Sequence, residues 1–400
     1  MNTIPTAEAD YIRLLVTSRY ALQKARIQTQ LRILALTERL VALTSNELRL
    51  TNNYVDQLLA KRDTKPSLDE TQKVHKFIET KLLSPDVLTK RITKKNGPAK
   101  IVLTDSELTE AEADATYAFV DGLISTRLGQ VTPEKIRDLH KFMDTTLQNA
   151  EDNLENLIDN EMKPLKSNGS IVEWMTDQIG IGTVIAAGLV SGIQDIGRFD
   201  TPSKLWAFSG LDVIQRCRKC DKRYFSDPFR KQQFIKKIET FNRKADNAAK
   251  KDSSRVRHVN SDNMICSCAE PAPYSTAPRR KHGEISTWSP FMRTLSWRIG
   301  DSFNKFRNHP NSTYGALLAS THKQCLEEHA RKCGCKTEKG HSLAMAKRKV
   351  EKIFLCNLWE HWRRLEGLPI RPPYVHEKLN HTTLLPSQDS LKKNDSLNTE

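Results

Sequence analysis

The chain has 400 residues, with 63 Lys plus Arg against 48 Asp plus Glu, so its formal charge is +15. Hydrophobic residues make up 38%, enough for two or three cores, yet no run approaches the roughly 18 to 20 apolar residues of a membrane span. The N-terminal stretch MNTIPTAEADYIRLL has no basic run followed by an apolar one, so neither a secreted nor an integral membrane protein is expected. The positive excess favours a polyanionic partner, nucleic acid first.

A mainly α fold is expected, opening with a long helical hairpin or coiled-coil region over residues 1–165 that is suited to self-association. From Tyr11 to about Leu50, Leu15, Leu22, Leu31, Leu34 and Leu40 recur at helical spacing. A second long helix opens at Thr132-Pro133, proline fitting a first helical position, and runs to Met162. Between them, Lys90–Lys100 reads as a basic loop broken by Gly and Pro. Residues 100–105 fit a short strand, and Thr104 with Glu107 has the form of a capping box.

A polar break at Ser167–Ser170 precedes a change of character. Residues 166–214 are less charged and richer in Gly and Ala; 215–273 are basic, polar and cysteine-bearing. Helical spacing returns within 274–375, from Trp288 to Phe306 and from His341 to Leu365, and the tail 376–400 lacks a core pattern and is expected to be disordered.

Within 166–214, Gln178-Ile179-Gly180-Ile181-Gly182-Thr183 places an apolar-Gly-apolar-Gly turn between two short helical segments, the form of a helix–hairpin–helix. Glycines allow the tight turn, and free amides at the start of the next helix attract phosphate without reading bases. Gly180, Gly182 and Thr183 are therefore candidate DNA contacts; an ordinary packing corner is the other reading.

Of eight cysteines, seven fall in three groups, and paired spacing of this kind indicates a reduced intracellular chain with metal rather than disulfides. Cys217-x2-Cys220 has the look of a zinc-ribbon knuckle, and Cys266-x-Cys268 supplies a second pair for a structural Zn2+. The 45-residue loop between the pairs lacks an evident core of its own, and the alternative is reduced, unliganded cysteines in a flexible insertion. A weaker metal set draws on His322, Cys325, His329, Cys333, Cys335 and His341; Cys356 reads as a core residue. Lys347, Arg348, Lys349 and Lys352 form a basic helix cluster, either a phosphate contact or a solvated face.

The run DQIGIGTVIAAGLVSGIQDIGRFDTPSKLWAFSGLDV resembles the C-terminal domain of prokaryotic insertion-sequence transposases, a family that includes the bridge-RNA-guided serine recombinases. The matching positions are Gly180, Gly182, Ala186, Ala187, Asp195, Arg198, Phe199, Leu205, Gly210 and Leu211. The likeness resumes at Arg279-Arg280-Lys281-His282-Gly283-Glu284-Ile285 and at the Leu-Arg helix after Phe291, and the segment from Gly340 to Pro369 is similar to the closing helix of archaeal-type members.

The resemblance implies a cytoplasmic, nucleoid-associated prokaryotic DNA transposase or recombinase, acting as a homo-oligomer on DNA and, in some members, with a guide RNA. It implies a serine nucleophile just before the basic segment: Ser275, or Thr276 one residue on, with Arg279, Arg280 and Lys281 clamping phosphate. It also implies a RuvC-like N-terminal domain holding Mg2+ on four acids, for which residues 1–165 supply no carboxylate-tipped strands. Two rival expectations follow: a catalytically inactive, transposase-derived DNA-binding protein, or a metal-dependent nuclease.

Overall fold

The structure, a computed structural model, describes residues 5–93, 108–129, 133–249, 258–279, 281, 284–333 and 339–371. It is mainly helical, with one two-stranded sheet among the described residues. Contacts divide the chain into Thr17–Asn156 and a second unit formed by Met1–Val16 with Leu157–Glu400, so the division falls inside the first and sixth helices. No described helix is long and apolar enough to cross a membrane.

The Thr17–Asn156 unit pairs α1 (Thr6–Val41) with α6 (Pro133–Met162). Arg19 bonds Glu155, Arg26 bonds Glu151 at 2.6 Å, Gln30 bonds Asp144 and Thr37 meets His140 at 3.2 Å. The partners advance along one helix while retreating along the other, so the pair is antiparallel, as the sequence led us to expect. Its seam is largely polar: Leu31 is exposed, as are Leu139 and Phe142.

Between them lie α2 (Ser45–Leu59), α3 (Leu68–Phe77), a π turn (Ile78–Leu82), α4 (Pro85–Thr93) and α5 (Glu110–Leu128). Thr44, Ser67 and Thr109 each open a helix with a capping box to Glu47, Glu70 and Glu112. Val55, Leu59, Ile78, Leu82, Leu88, Val120 and Ile124 form the core. The expected loop Lys90–Lys100 begins as the end of α4; the rest of it, the expected strand and the Thr104 cap lie outside the described residues.

The second unit is built on α7 (Ile171–Thr176), α8 (Thr183–Ile193), α9 (Pro202–Phe208), α10 (Pro228–Ala249), α11 (Ser261–Met264), α12 (Pro290–Lys305), α13 (Thr313–Cys333) and α14 (Lys339–Leu365), with β1 (Ile214–Cys217) and β2 (Pro273–Thr276). Residues Ala186–Ile193 of α8 are buried throughout. A Cβ on Gly188 would stand 3.0 Å from Leu295, and one on Gly192 would collide with Met292, so these glycines let α12 lie against α8.

Phe303, Tyr314 and Phe354 join α12, α13 and α14 with ring centroids 4.9 to 5.5 Å apart. Trp359 is buried and donates its indole N–H to the Phe199 carbonyl at 2.7 Å. Cys356 lies in this core as expected, being only 7% exposed.

The two longest helices of this unit without a counterpart in the sequence reading are α10 and α13. Helix α10 occupies the middle of the cysteine-bearing segment, and Phe234 and Ile238 from it pack with Val259, Met264, Ile265 and Ile285. That segment therefore has a small core, contrary to the expectation of a coreless insertion. The other is α13, whose apolar positions are diluted by polar ones.

Candidate metal centre and serine cleft

Strands β1 and β2 run antiparallel, with Gln215 opposite Ser275 and Cys217 opposite Pro273. At the end of β1 the chain folds back on itself: the Asp221 amide bonds the Cys217 carbonyl at 2.7 Å and the Cys217 amide bonds the Lys222 carbonyl at 2.9 Å. Asp221 closes this turn in the left-handed region, at φ 54°, which a short polar side chain tolerates better than most.

Arg223, two residues on, joins the second cysteine pair to the first. The Arg223 amide bonds the Met264 carbonyl and the Cys266 amide bonds the Arg223 carbonyl, each at 2.8 Å. As a result the sulfurs of Cys217, Cys220, Cys266 and Cys268 all lie within 4.8 Å of one another. All four are free thiols, with 4.0 Å between the Cys217 and Cys268 sulfurs. Four thiolates about 2.3 Å from one metal ion require sulfur separations of this size.

The electrostatics agree. A bond from the Ala272 amide leads the influences that pull the Cys217 thiol down to about 6. Cys268 is pushed up to about 12, first by its bond with Cys220 and then by Cys266. Four clustered thiols cannot all ionise unaided, and a bound dication removes that conflict. The sequence-expected set thus forms a group able to hold a structural metal.

The weaker set is not gathered among the described residues. Cys325 is fully buried on α13. The side chains of His329 and Cys333, and all of Cys335, lie outside the described residues. Among the described residues the four cysteines form the one cluster of three or more His, Cys, Asp or Glu groups close enough to share a metal ion, and no set of three carboxylates converges.

Beside the sheet, a cleft of about 880 Å³ opens, lined by Ser275, Gln215, Arg223, Arg230, Gln233 and Lys237 among others. Ser275 is exposed and faces it; its neighbour Thr276, alternating to the opposite face as strand residues do, does not line it. Asp212 and Asp227 also reach the cleft. Burial pushes the Asp212 carboxyl up and the Arg223 guanidinium down. The α10 contributions were missed from sequence, although Arg230, Gln233 and Lys237 recur at helical spacing and share a face.

The basic segment divides by role. Arg279 is exposed, Arg280 lies outside the described residues, and Lys281 is ion-paired to Asp221. Arg216, although it lies in a basic segment, is buried against Glu284 at 2.6 Å. Arg223 is likewise buried, stacked over the Phe234 ring at 4.7 Å. Arg218 and Lys219 remain exposed. In α14, Lys347 is paired with Asp301 at 2.9 Å, and Arg348 donates to the Leu211 carbonyl at 3.1 Å and the Asp212 carbonyl at 3.2 Å.

The glycine turn has the anticipated form, α7 and α8 being joined through Asp177–Gly182. Gly180 sits at φ 102°, and its carbonyl accepts a 2.6 Å bond from Ser302 Oγ, which ties the turn to α12. Ile181 is buried beneath it. Gly182 is exposed, caps α8 without a side-chain acceptor, and a Cβ there would meet nothing within 4 Å. The amides of Gly182, Thr183 and Val184 have no acceptor among the described residues. The turn is therefore anchored through its first glycine and open to solvent at its second. No family model, curated protein or solved structure matches the chain.

Proposed function

We propose that this chain is a DNA-binding protein of the transposase type that cuts and joins strands through Ser275, with a structural Zn2+ on Cys217, Cys220, Cys266 and Cys268. The observation that carries the reading is Ser275 standing exposed on a cleft edged by Arg223, Arg230 and Lys237. In the step proposed, Ser275 Oγ forms a bond to phosphorus while one bridging P–O bond breaks. The serine proton passes to solvent and the departing oxygen takes one up. The cations offset charge on the non-bridging oxygens. The open amides at Gly182–Val184 grip a second phosphate without reading sequence. Joining two cut strands requires more than one such serine, and hence more than one copy.

A binding-only reading is favoured by one observation: no acid or imidazole among the described residues hydrogen-bonds Ser275, so no general base is in place before DNA enters. Ser275→Ala separates the two. The serine reading expects covalent protein–DNA adducts on a nicked substrate for the native chain and none for the variant, at equal affinity. Equal adduct yield from both would sink the serine assignment, and no adduct from either leaves the binder.

Zinc is preferred over other divalent ions because four thiolates in a tetrahedron suit its borderline-soft, geometry-tolerant character. Gly182→Asp tests the hairpin. The backbone at 182, φ −83° and ψ 173°, is that of an N-cap, so aspartate fits without strain. It changes stability by only about a few tenths of a kcal/mol. Its carboxylate occupies the free amides and repels phosphate, so DNA affinity should fall at least tenfold across sequences. Unchanged affinity in a gel-shift titration would remove the hairpin from the interface.

A further inference from the structure

A second, smaller cavity of about 150 Å³ lies between α12 and α14, lined by Arg293, Trp297, Lys347, Arg348 and Glu351 with three small or apolar α14 residues. Glu351 is 2% exposed. A Cβ on Gly300 would run into it, so that glycine leaves room for the carboxylate. Yet the carboxylate makes no hydrogen bond: Oε2 is buried without a partner, and no bond to Oε1 is found among the described residues. An unpaired buried acid is costly and is seldom kept without a use.

The cations around Glu351 do not satisfy it. Lys347 is committed to Asp301. Arg348 spends Nη2 on two backbone carbonyls and leaves Nη1 buried and unbonded. Arg293 contributes its charge at a distance. Trp297, an aromatic on the cavity wall, is 55% exposed. The lining therefore combines two vacant acceptors on one carboxylate, a vacant guanidinium donor and a half-exposed indole that carries the Lys347 ammonium 5.9 Å from its ring centroid and leaves its other side for a ligand.

That combination selects a ligand. A carboxylate with both oxygens vacant is matched by two adjacent N–H donors on a flat group. A guanidinium ligand offers them, but three cations already surround the site and repel a fourth. A simple anion is opposed by Glu351 itself. Among the common bases, adenine and cytosine set one exocyclic amine beside a ring acceptor, and thymine has one N–H between two carbonyls. Guanine alone sets N1–H beside N2–H, with the O6 acceptor next in line.

We propose that this cavity binds a guanine base, Glu351 accepting from N1–H and N2–H, Arg348 donating to O6 and Trp297 stacking on the ring. The base comes either from a free nucleotide or from an unpaired position in a strand. The proposal stands apart from the serine and hairpin readings, because it needs neither Ser275 nor Gly182.

Calorimetric titration of the full metal-loaded chain with GMP, AMP, CMP, UMP and inorganic phosphate tests it, beside hairpin oligonucleotides carrying one unpaired guanine or one unpaired adenine. GMP, or the unpaired-guanine hairpin, should bind at least tenfold more tightly than its counterparts. Glu351→Gln should abolish that preference while keeping the native circular dichroism, Trp297→Ala should weaken binding by several-fold, and Gly182→Asp should leave GMP binding intact. Binding by the hairpin alone assigns the source to DNA, and binding by GMP assigns it to the nucleotide. Phosphate binding as tight as GMP, a guanine preference surviving Glu351→Gln, or no guanine binding in either arm would overturn the proposal, the last leaving a cavity filled only by water.

Discussion

Two regions of one unit contrast in what holds them. The α8, α12, α13 and α14 layer buries Phe303, Phe354, Trp359 and Trp362, all nearly inaccessible to solvent. The segment from β1 to Ile285 buries six residues of one modest cluster around α10, and its two strands span four residues each. The first is held by apolar packing. The second has only this small core and gathers four thiols beside it, as small domains with limited packing do. Ser275 stands on the thiol-clustered region and the glycine turn on the packed one, so they should fail under different conditions.

Removing the metal should produce the largest separation. Cys217→Ser with Cys220→Ser forfeits a binding free energy of about 10 kcal/mol or more if the metal is zinc. Stoichiometric zinc should appear by elemental mass spectrometry in the native chain and vanish in the variant. Limited proteolysis should then cut between residues 218 and 272 while α12–α14 stay protected. Simultaneous digestion of both regions would show that the contrast is false.

Trp359→Ala attacks the other side. It deletes a buried indole and orphans the Phe199 carbonyl, at a cost of about 3–5 kcal/mol. The thermal midpoint of the helical layer should drop by several degrees while zinc content is unchanged.

Glu351→Gln should go the opposite way. Burial raises this carboxyl to about 7 against an ordinary 4.5, with Arg293 and Arg348 opposing the rise. An acid raised on folding leaves stability unaffected below about pH 4.5, where both states are protonated. It subtracts stability as pH climbs from there to 7, approaching on the order of 3 kcal/mol above that. The glutamine variant should match the native chain at pH 4 and be more stable at pH 8, measured by urea denaturation. A pH-independent difference would mean that the carboxyl is not strained by burial.

Legibility varied by element for physical reasons. The α6 start at Pro133, the glycine turn and the four-cysteine set were readable, because proline, glycine and paired thiols each allow few conformations or partners. Helix α10 was not: between Pro228 and Ala249 only Phe234, Ile235 and Ile238 pack inward, too sparse a stripe to stand out from a loop. The burial of Arg216 was not legible either, because nothing near it in sequence announces Glu284, its ion-pair partner 68 residues on. The cleft shared this fate, Arg230 and Lys237 coming from a helix more than 35 residues before Ser275.

The order of residues by itself determined the helical class, the basic character, the bend at Gly180–Gly182 and which thiols belong together, since those follow from period, charge and short-range chain geometry. Only the folded chain decided which arginines are spent on internal partners, which face Ser275 presents, and that Glu351 is sealed in without a partner. Such outcomes depend on burial and on neighbours distant along the chain, where a few ångströms turn a surface charge into a structural one.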